Sequence, residues 1–144
     1  MSTTTATENE AIAEEFFERI NDHDLSVVDE LCADDFEVEI ARLGTDESVM
    51  GREGLKAIFE EYVTAFPDIK YDVDAIVADD ERVAVFTTTT GTHEGEFRGI
   101  PPTGNEIEIT EGGLVRIEDG KIVDLRPQVD MFGLFEQLGA RLER

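Results

Sequence analysis

Asp130 stands where the chain changes character: Val129 precedes it, and Met131, Phe132 and Leu134 follow. A carboxylate among apolar neighbours is costly to bury unless it is paired or keeps its proton. A carboxyl group tuned in that way can serve as a general acid or base. Asp is also among the best N-cap residues, so Asp130 could equally cap a helix starting at Met131; the two roles are compatible. His93 is a second candidate, at the end of the row Val83, Val85, Thr87, Thr89 and Gly91. An imidazole there could polarise a carbonyl or hold a carboxylate, or be a hydrogen-bonded structural histidine. On the segment before Asp130, side-chain parity puts Arg126, Gln128 and Asp130 on one face and Val123, Leu125 and Val129 on the other. A polar row that ends at an apolar helix start points to the rim of a pocket.

Other chemistries lack their residues. No Gly-x-Ser-x-Gly elbow, GxGxxG or phosphate-cradling loop is present, which argues against nucleotide cofactors. One cysteine, Cys32, and two distant histidines, His23 and His93, make a zinc site improbable. Cys32 cannot form an intrachain disulfide and reads as a buried inert thiol. Carboxylate, amide, guanidinium and imidazole remain, enough for proton transfer with no cofactor or metal. Thirty-five acidic residues against twelve basic ones give a formal charge of −23. Nucleic acid and anionic membranes are thereby disfavoured as partners. The acids are dispersed, as in a solvated coat suited to a high-salt cytoplasm, and stability should rise as salt screens their repulsion. No apolar run reaches membrane-spanning length, and MSTTTATENE has no signal-peptide character, so a cytoplasmic location is expected.

With 144 residues, 40% of them hydrophobic, the chain fits one domain over 1–144, with the Ser/Thr-rich residues 1–7 frayed. Ile12, Ala13, Phe16, Phe17 and Ile20 recur at helical spacing over about Glu8–Asn21. A short helix over Leu25–Cys32 follows a polar turn in which His23 is exposed. Phe36, Val38 and Ile40 alternate with Glu37 and Glu39 as a first strand. Gly51-Arg52-Glu53-Gly54 leads a helix with Leu55, Ile58, Phe59, Tyr62 and Phe66 inward, stopped by Pro67. Strands are expected over Ile69–Ala78, Arg82–Thr92, Asn105–Glu118 and Lys121–Asp130. Ile107, Ile109, Val115 and Ile117 mark one side of the third of these, and Gly112-Gly113 suggests a bulge. Asp119-Gly120 is a hairpin turn, and Met131–Arg141 closes as a helix. The pattern predicts an α+β domain with helices on one face of a curved sheet, leaving a pocket for a small hydrophobic molecule.

Three stretches then resemble one family. They are Gly91-Thr92-His93-x-Gly95-Glu96-Phe97-x-Gly99-Ile100-Pro101-Pro102-Thr103-Gly104, Arg116-Ile117-x-Asp119-Gly120-Lys121-Ile122-Val123, and Val129-Asp130-Met131-x-Gly133-Leu134-x-x-Gln137-Leu138-Gly139. Together with Gly51-Arg52-Glu53-Gly54 and Ala65-Phe66-Pro67-Asp68, they are similar to the SnoaL-like polyketide cyclases (ester cyclases) from about residue 10 to 140. The resemblance implies an NTF2-like cone, a curved mixed sheet wrapped around N-terminal helices. It also implies an intramolecular aldol condensation without metal or organic cofactor, with Asp130 as acid/base and His93 assisting. Arg126, Gln128, Glu39, Phe16, Phe59, Tyr62 and Phe97 are the expected substrate-binding residues, and a homodimer through the outer sheet face is expected. Glu39 replaces a histidine of many relatives, and Leu125-Arg126 replaces a His-Trp pair. Arg126 beside Asp130 would favour the ionised base; alternatively, Glu39 and Arg126 form an ion pair across the pocket. Isomerase- or hydrolase-type chemistry, or a non-catalytic module that binds a hydrophobic ligand, are the competing readings.

Overall fold

The computed structural model describes residues 5–39 and 49–139. The elements run α1 (Ala6–Asn21), α2 (Ser26–Leu31), β1 (Cys32–Glu39), β2 (Val49–Met50), α3 (Arg52–Ala65), β3 (Lys70–Ala78), β4 (Arg82–Thr92), β5 (Glu106–Glu118), β6 (Lys121–Val129) and α4 (Met131–Gln137). One mixed sheet holds the strands in the order β2-β1-β6-β5-β4-β3. β3 to β6 form the expected antiparallel meander. β1 adds to its far side parallel to β6, bringing the first and last long strands together. α1 packs on β3 and β4, α3 on β1, and α4 on β5.

Local chemistry sets the ends of these elements. α1 begins ahead of Glu8, inside the stretch expected to fray, because Thr5 and Glu8 close a capping box. The Thr5 hydroxyl accepts from the Glu8 amide at 3.1 Å, and a Glu8 carboxylate oxygen accepts from the Thr5 amide at 3.3 Å. Ala13, Phe16 and Ile20 bury the apolar stripe as its spacing predicts. α1 is also bolted to the sheet by two amides. Asn9, fully buried, donates to the Asp79 carbonyl at 3.0 Å. Asn21 donates to the Tyr71 carbonyl and accepts from the Tyr71 amide, both at 2.8 Å. At roughly 1 kcal/mol for each such bond, these contacts fix the pitch of α1 over β3. Asp119 (φ 50°) and Gly120 (φ 78°) form the β5–β6 hairpin turn, with positive φ at both central positions.

Gly112-Gly113 does not form the expected bulge. β4 and β5 stay in unbroken register from Arg82↔Arg116 through Phe86↔Gly112 and Thr87↔Glu111 to Thr92↔Glu106. The glycine makes room instead: the Phe86 ring lies across Gly112, where an added Cβ would come within 3.2 Å of it. Irregularities fall elsewhere, at Asp74 on β3 and at Val123 on β6, the residues passed over between Val73↔Thr87 and Ala75↔Phe86 and between Arg116↔Asp124 and Ile117↔Ile122. An unbroken β5 keeps every second residue on the same side for its whole length, and this decides what faces the interior.

Candidate active site

A cavity of about 110 Å³ lies between the sheet and the helices α1 and α3. α1 contributes Phe16 and Phe17, α3 contributes Leu55, Ile58, Phe59 and Tyr62, and β1 contributes Cys32, Phe36 and Val38. Tyr71 of β3, Val85 and Thr87 of β4, and Leu125, Pro127 and Val129 of β6 complete most of the wall. The rings brace one another: Phe16 and Phe59 have centroids 6.1 Å apart, and Phe59 meets Tyr71 at 6.1 Å and 87°, an edge-to-face contact. Phe59 and Ile58 remain only half-buried although they sit on the inward stripe of α3, because the space before them is the cavity.

Among the described residues, Glu111 is the one acid in this wall. Ile107, Ile109, Val115 and Ile117 are all buried, and Glu111 shares their parity, so the pleat aims it inward. Across the ladders it faces Thr87 on β4 and Val129 on β6. Among the described residues, the cavity wall contains no Lys, Arg or His to offset its charge. Burial therefore pushes the Glu111 carboxyl up to about 7, against a small opposing pull from the Thr89 hydroxyl. That hydroxyl is buried one step along β4 and falls short of hydrogen-bond geometry. The two tyrosines stay protonated for the same reason: burial raises both phenols, and the Glu111 charge adds to it. Cys32 is pushed up to about 12 by burial, so its thiol is inert as expected.

Several residues proposed from sequence lie elsewhere. Asp130 is exposed and absent from the cavity wall. Its carboxylate accepts from the Gly133 amide at 2.8 Å and caps α4, so closely that a Cβ on Gly133 would meet it at 2.2 Å. The pleat is the reason: Val129 points inward opposite Glu111, so its successor points outward. The polar row of β6 follows the same rule. Arg126 and Gln128 are exposed on the outer face, and Arg126 lies 3.6 Å from the Asp124 carboxylate. The inward parity belongs to Leu125, Pro127 and Val129, so an ion pair from Arg126 across the cavity is not what this strand builds. Glu39 ends β1 opposite Val49, and its side chain lies outside the described residues.

His93 is fully buried but away from the cavity, packed against Phe66 with ring centroids 5.5 Å apart. Its Nδ1 accepts from the Thr103 amide at 3.2 Å, its backbone amide donates to the Asn105 carbonyl, and its carbonyl accepts from the Gly104 amide. These contacts fold the Pro101-Pro102 loop back on itself, a structural task; its Nε2 has no hydrogen-bond partner. Phe16, Phe59 and Tyr62 do line the cavity. Phe97 is buried one layer behind, against Tyr62 at 5.3 Å and Phe135 at 5.9 Å. Glu111 escapes a reading that breaks the strand at Gly112-Gly113. Its in-phase spacing with Ile107, Ile109, Val115 and Ile117 is the signal by which sequence reasoning could have found it.

A helix-covered mixed sheet around an apolar, acid-bearing cavity is the architecture of the NTF2-like class. Residues 11–138 match the family model of the SnoaL-like polyketide cyclases, and the chain belongs to that family. IdmH of Streptomyces antibioticus, a proposed polyketide cyclase, is 31% identical with a TM-score of 0.80, covering 90% of this chain and 97% of that one. AclR of Streptomyces galilaeus, a proposed hydroxylase, is 28% identical with a TM-score of 0.84, covering 96% and 89%. Over 49 residues the chain is 43% identical to the aklanonic acid methyl ester cyclase DnrD of Streptomyces peucetius. That match spans about a third of the relative's length, 34% of each chain. A proposed cyclase and a proposed hydroxylase share this fold, so likeness of fold does not by itself name a reaction.

Proposed function

We propose that the protein is a cofactor-free, cyclase-type enzyme that folds a small, uncharged carbonyl or ester compound inside the cavity and closes a carbon–carbon bond by an aldol step. One observation carries this reading: an apolar cavity whose wall, among the described residues, holds a carboxyl group and no cation. The apolar wall selects a hydrophobic ligand, and a lone acid without a counter-charge disfavours an anionic one. An aldol closure needs only proton movement and a held conformation, and confinement supplies the second at large effective concentration. The volume of about 110 Å³ lies below the about 150 Å³ of a dry void that takes up benzene, which limits the enclosed group to one ring at most. Family membership and the likeness to the proposed cyclase support the same class of reaction. Within this proposal the protein works as a homodimer in a high-salt cytoplasm, where its charge of −23 is screened.

The nearly uniform apolar lining favours a second reading, a module that binds such a ligand without converting it. The two separate on a panel of small aryl diketones and keto esters. Binding is followed by the melting temperature, and cyclised isomers by chromatography and NMR. Binding with formation of a ring-closed isomer is the expected result. Binding without any isomer would leave the second reading, and no binding across the panel would remove both.

A further inference from the structure

We infer that Glu111 is the catalytic acid/base of this cavity, the group that takes the proton α to a bound carbonyl and returns it to the aldol oxygen. The inference rests on the enzymatic reading above and names the residue that performs it. Placement is the first ground. β5 runs unbroken past Gly112-Gly113, so Glu111 is held by ladder hydrogen bonds on both sides, between Thr87 and Val129, with its side chain in the cavity wall. A base carried on a central strand is held more firmly than one on a loop.

Surroundings are the second ground. The faces turned toward Glu111 are apolar on α1, β1 and β6; the other titratable groups in the wall are the Cys32 thiol and the Tyr62 and Tyr71 phenols. All three stay neutral at physiological pH because burial raises them. A carboxyl in such a place can hold or release its proton near neutrality, which suits a group that must do both within one turnover. A carboxyl kept only for structure would be paired, as Asp130 is with the Gly133 amide. Among the described residues Glu111 meets no donor in hydrogen-bond geometry, and only the nearby Thr89 hydroxyl opposes the effect of burial.

The step balances without a co-reactant. The ionised Glu111 oxygen takes the α-hydrogen as a proton. The C–H electron pair becomes the enolate double bond, and the carbonyl π pair moves onto oxygen. The enolate carbon then bonds to the second carbonyl carbon of the same molecule. The alkoxide so formed takes the proton back from Glu111, leaving the enzyme as it began. Tyr71, fixed through its backbone by Asn21, and Tyr62, whose hydroxyl donates to the Met131 sulfur at 3.6 Å, supply neutral donors for the enolate oxygen.

The test uses acetophenone, a one-ring ketone that cannot cyclise, at saturation in D2O, with deuterium entry into its methyl group read by NMR. Wild-type protein is expected to accelerate exchange, with a rate that climbs through about pH 7 as Glu111 ionises and then levels. Glu111→Gln should lower the catalysed rate by about 100-fold or more, and Asp130→Asn should leave it within about twofold, as expected of an exposed cap. Glu111→Gln is expected to melt higher than wild type at pH 8, which separates lost chemistry from lost folding. Exchange that survives in Glu111→Gln would overturn the assignment of Glu111 while leaving the enzymatic reading in place. Absence of exchange in saturated wild-type protein would remove both.

Discussion

Glu111 and Asp130 are near neighbours on the β5–β6 ladder, since Glu111 pairs with Val129, yet their carboxyl groups live in different solvents. Asp130 faces water and is engaged by the Gly133 amide. Glu111 faces aromatic rings and is left to its own charge. Other carboxylates on the water side behave oppositely to Glu111. Asp68 and Asp79 are held below the usual range by backbone amides, of Thr92 for Asp68 and of Glu81 and Arg82 for Asp79. One cross-strand pairing and one step past the end of β6 therefore separate a group that costs stability and can move protons from one that stabilises the fold. Local sequence marks both as acids; only the pleat assigns their tasks.

That contrast can be broken, and the largest effect is expected on the cavity side. The folded state raises Glu111 from 4.5 to about 7. The native protein therefore holds this proton more tightly than the unfolded chain does, and stability is lost as pH rises between those values. Glu111→Gln removes the penalty. Denaturant titration should show the variant more stable by at most about 3 kcal/mol at pH 8, and near wild type at pH 4. An equal gain at both pH values would mean that Glu111 is not buried as an acid.

Asn21→Ala comes next. It strips both backbone groups of Tyr71 of their partner and should cost about 2 kcal/mol, within the range for unsatisfied buried polar groups. It should also weaken binding of a one-ring ketone, because Tyr71 loses its anchor. Unchanged affinity would show that the tyrosine is held by packing alone. On the water side the effects are smaller. Asp130→Ala should cost about 1 kcal/mol through the lost cap, and Asp130→Asn less, since Asn caps about as well. A loss of several kcal/mol, or a large loss of exchange activity in Asp130→Asn, would erase the distinction between the two carboxyls. Smallest per group is the acidic coat, in which each exposed repulsion contributes well under about 1 kcal/mol. Their sum should still raise the melting temperature steadily from low to multimolar KCl, and a flat response would show that the charges are too dispersed to matter.

Much of the architecture was legible from spacing. The stripe of Ala13, Phe16 and Ile20, the stop at Pro67, the Asp119-Gly120 turn and the bounds of β4 follow from residue chemistry within a few positions. The helical stripes likewise placed Phe16, Phe59 and Tyr62 at the cavity. What failed involved partners distant in the chain. The roles of Asn9 and Asn21 depend on Asp79 and Tyr71, which meet them only in the fold. His93 sits in a motif that suggests chemistry, and it becomes a loop pin because Thr103 and Asn105 fold back on it.

The amino-acid sequence by itself determined an α+β chain with an acid-coated exterior, a hydrophobic interior and two carboxyl-bearing strands, because periodicity and turn chemistry are local. Which carboxyl entered the cavity was decided by tertiary structure alone. Strand register is a pairing of distant residues: unbroken pairing with β4 carries the alternation of β5 through Gly112-Gly113, which turns Glu111 inward beside Val129 and leaves Asp130 to the water.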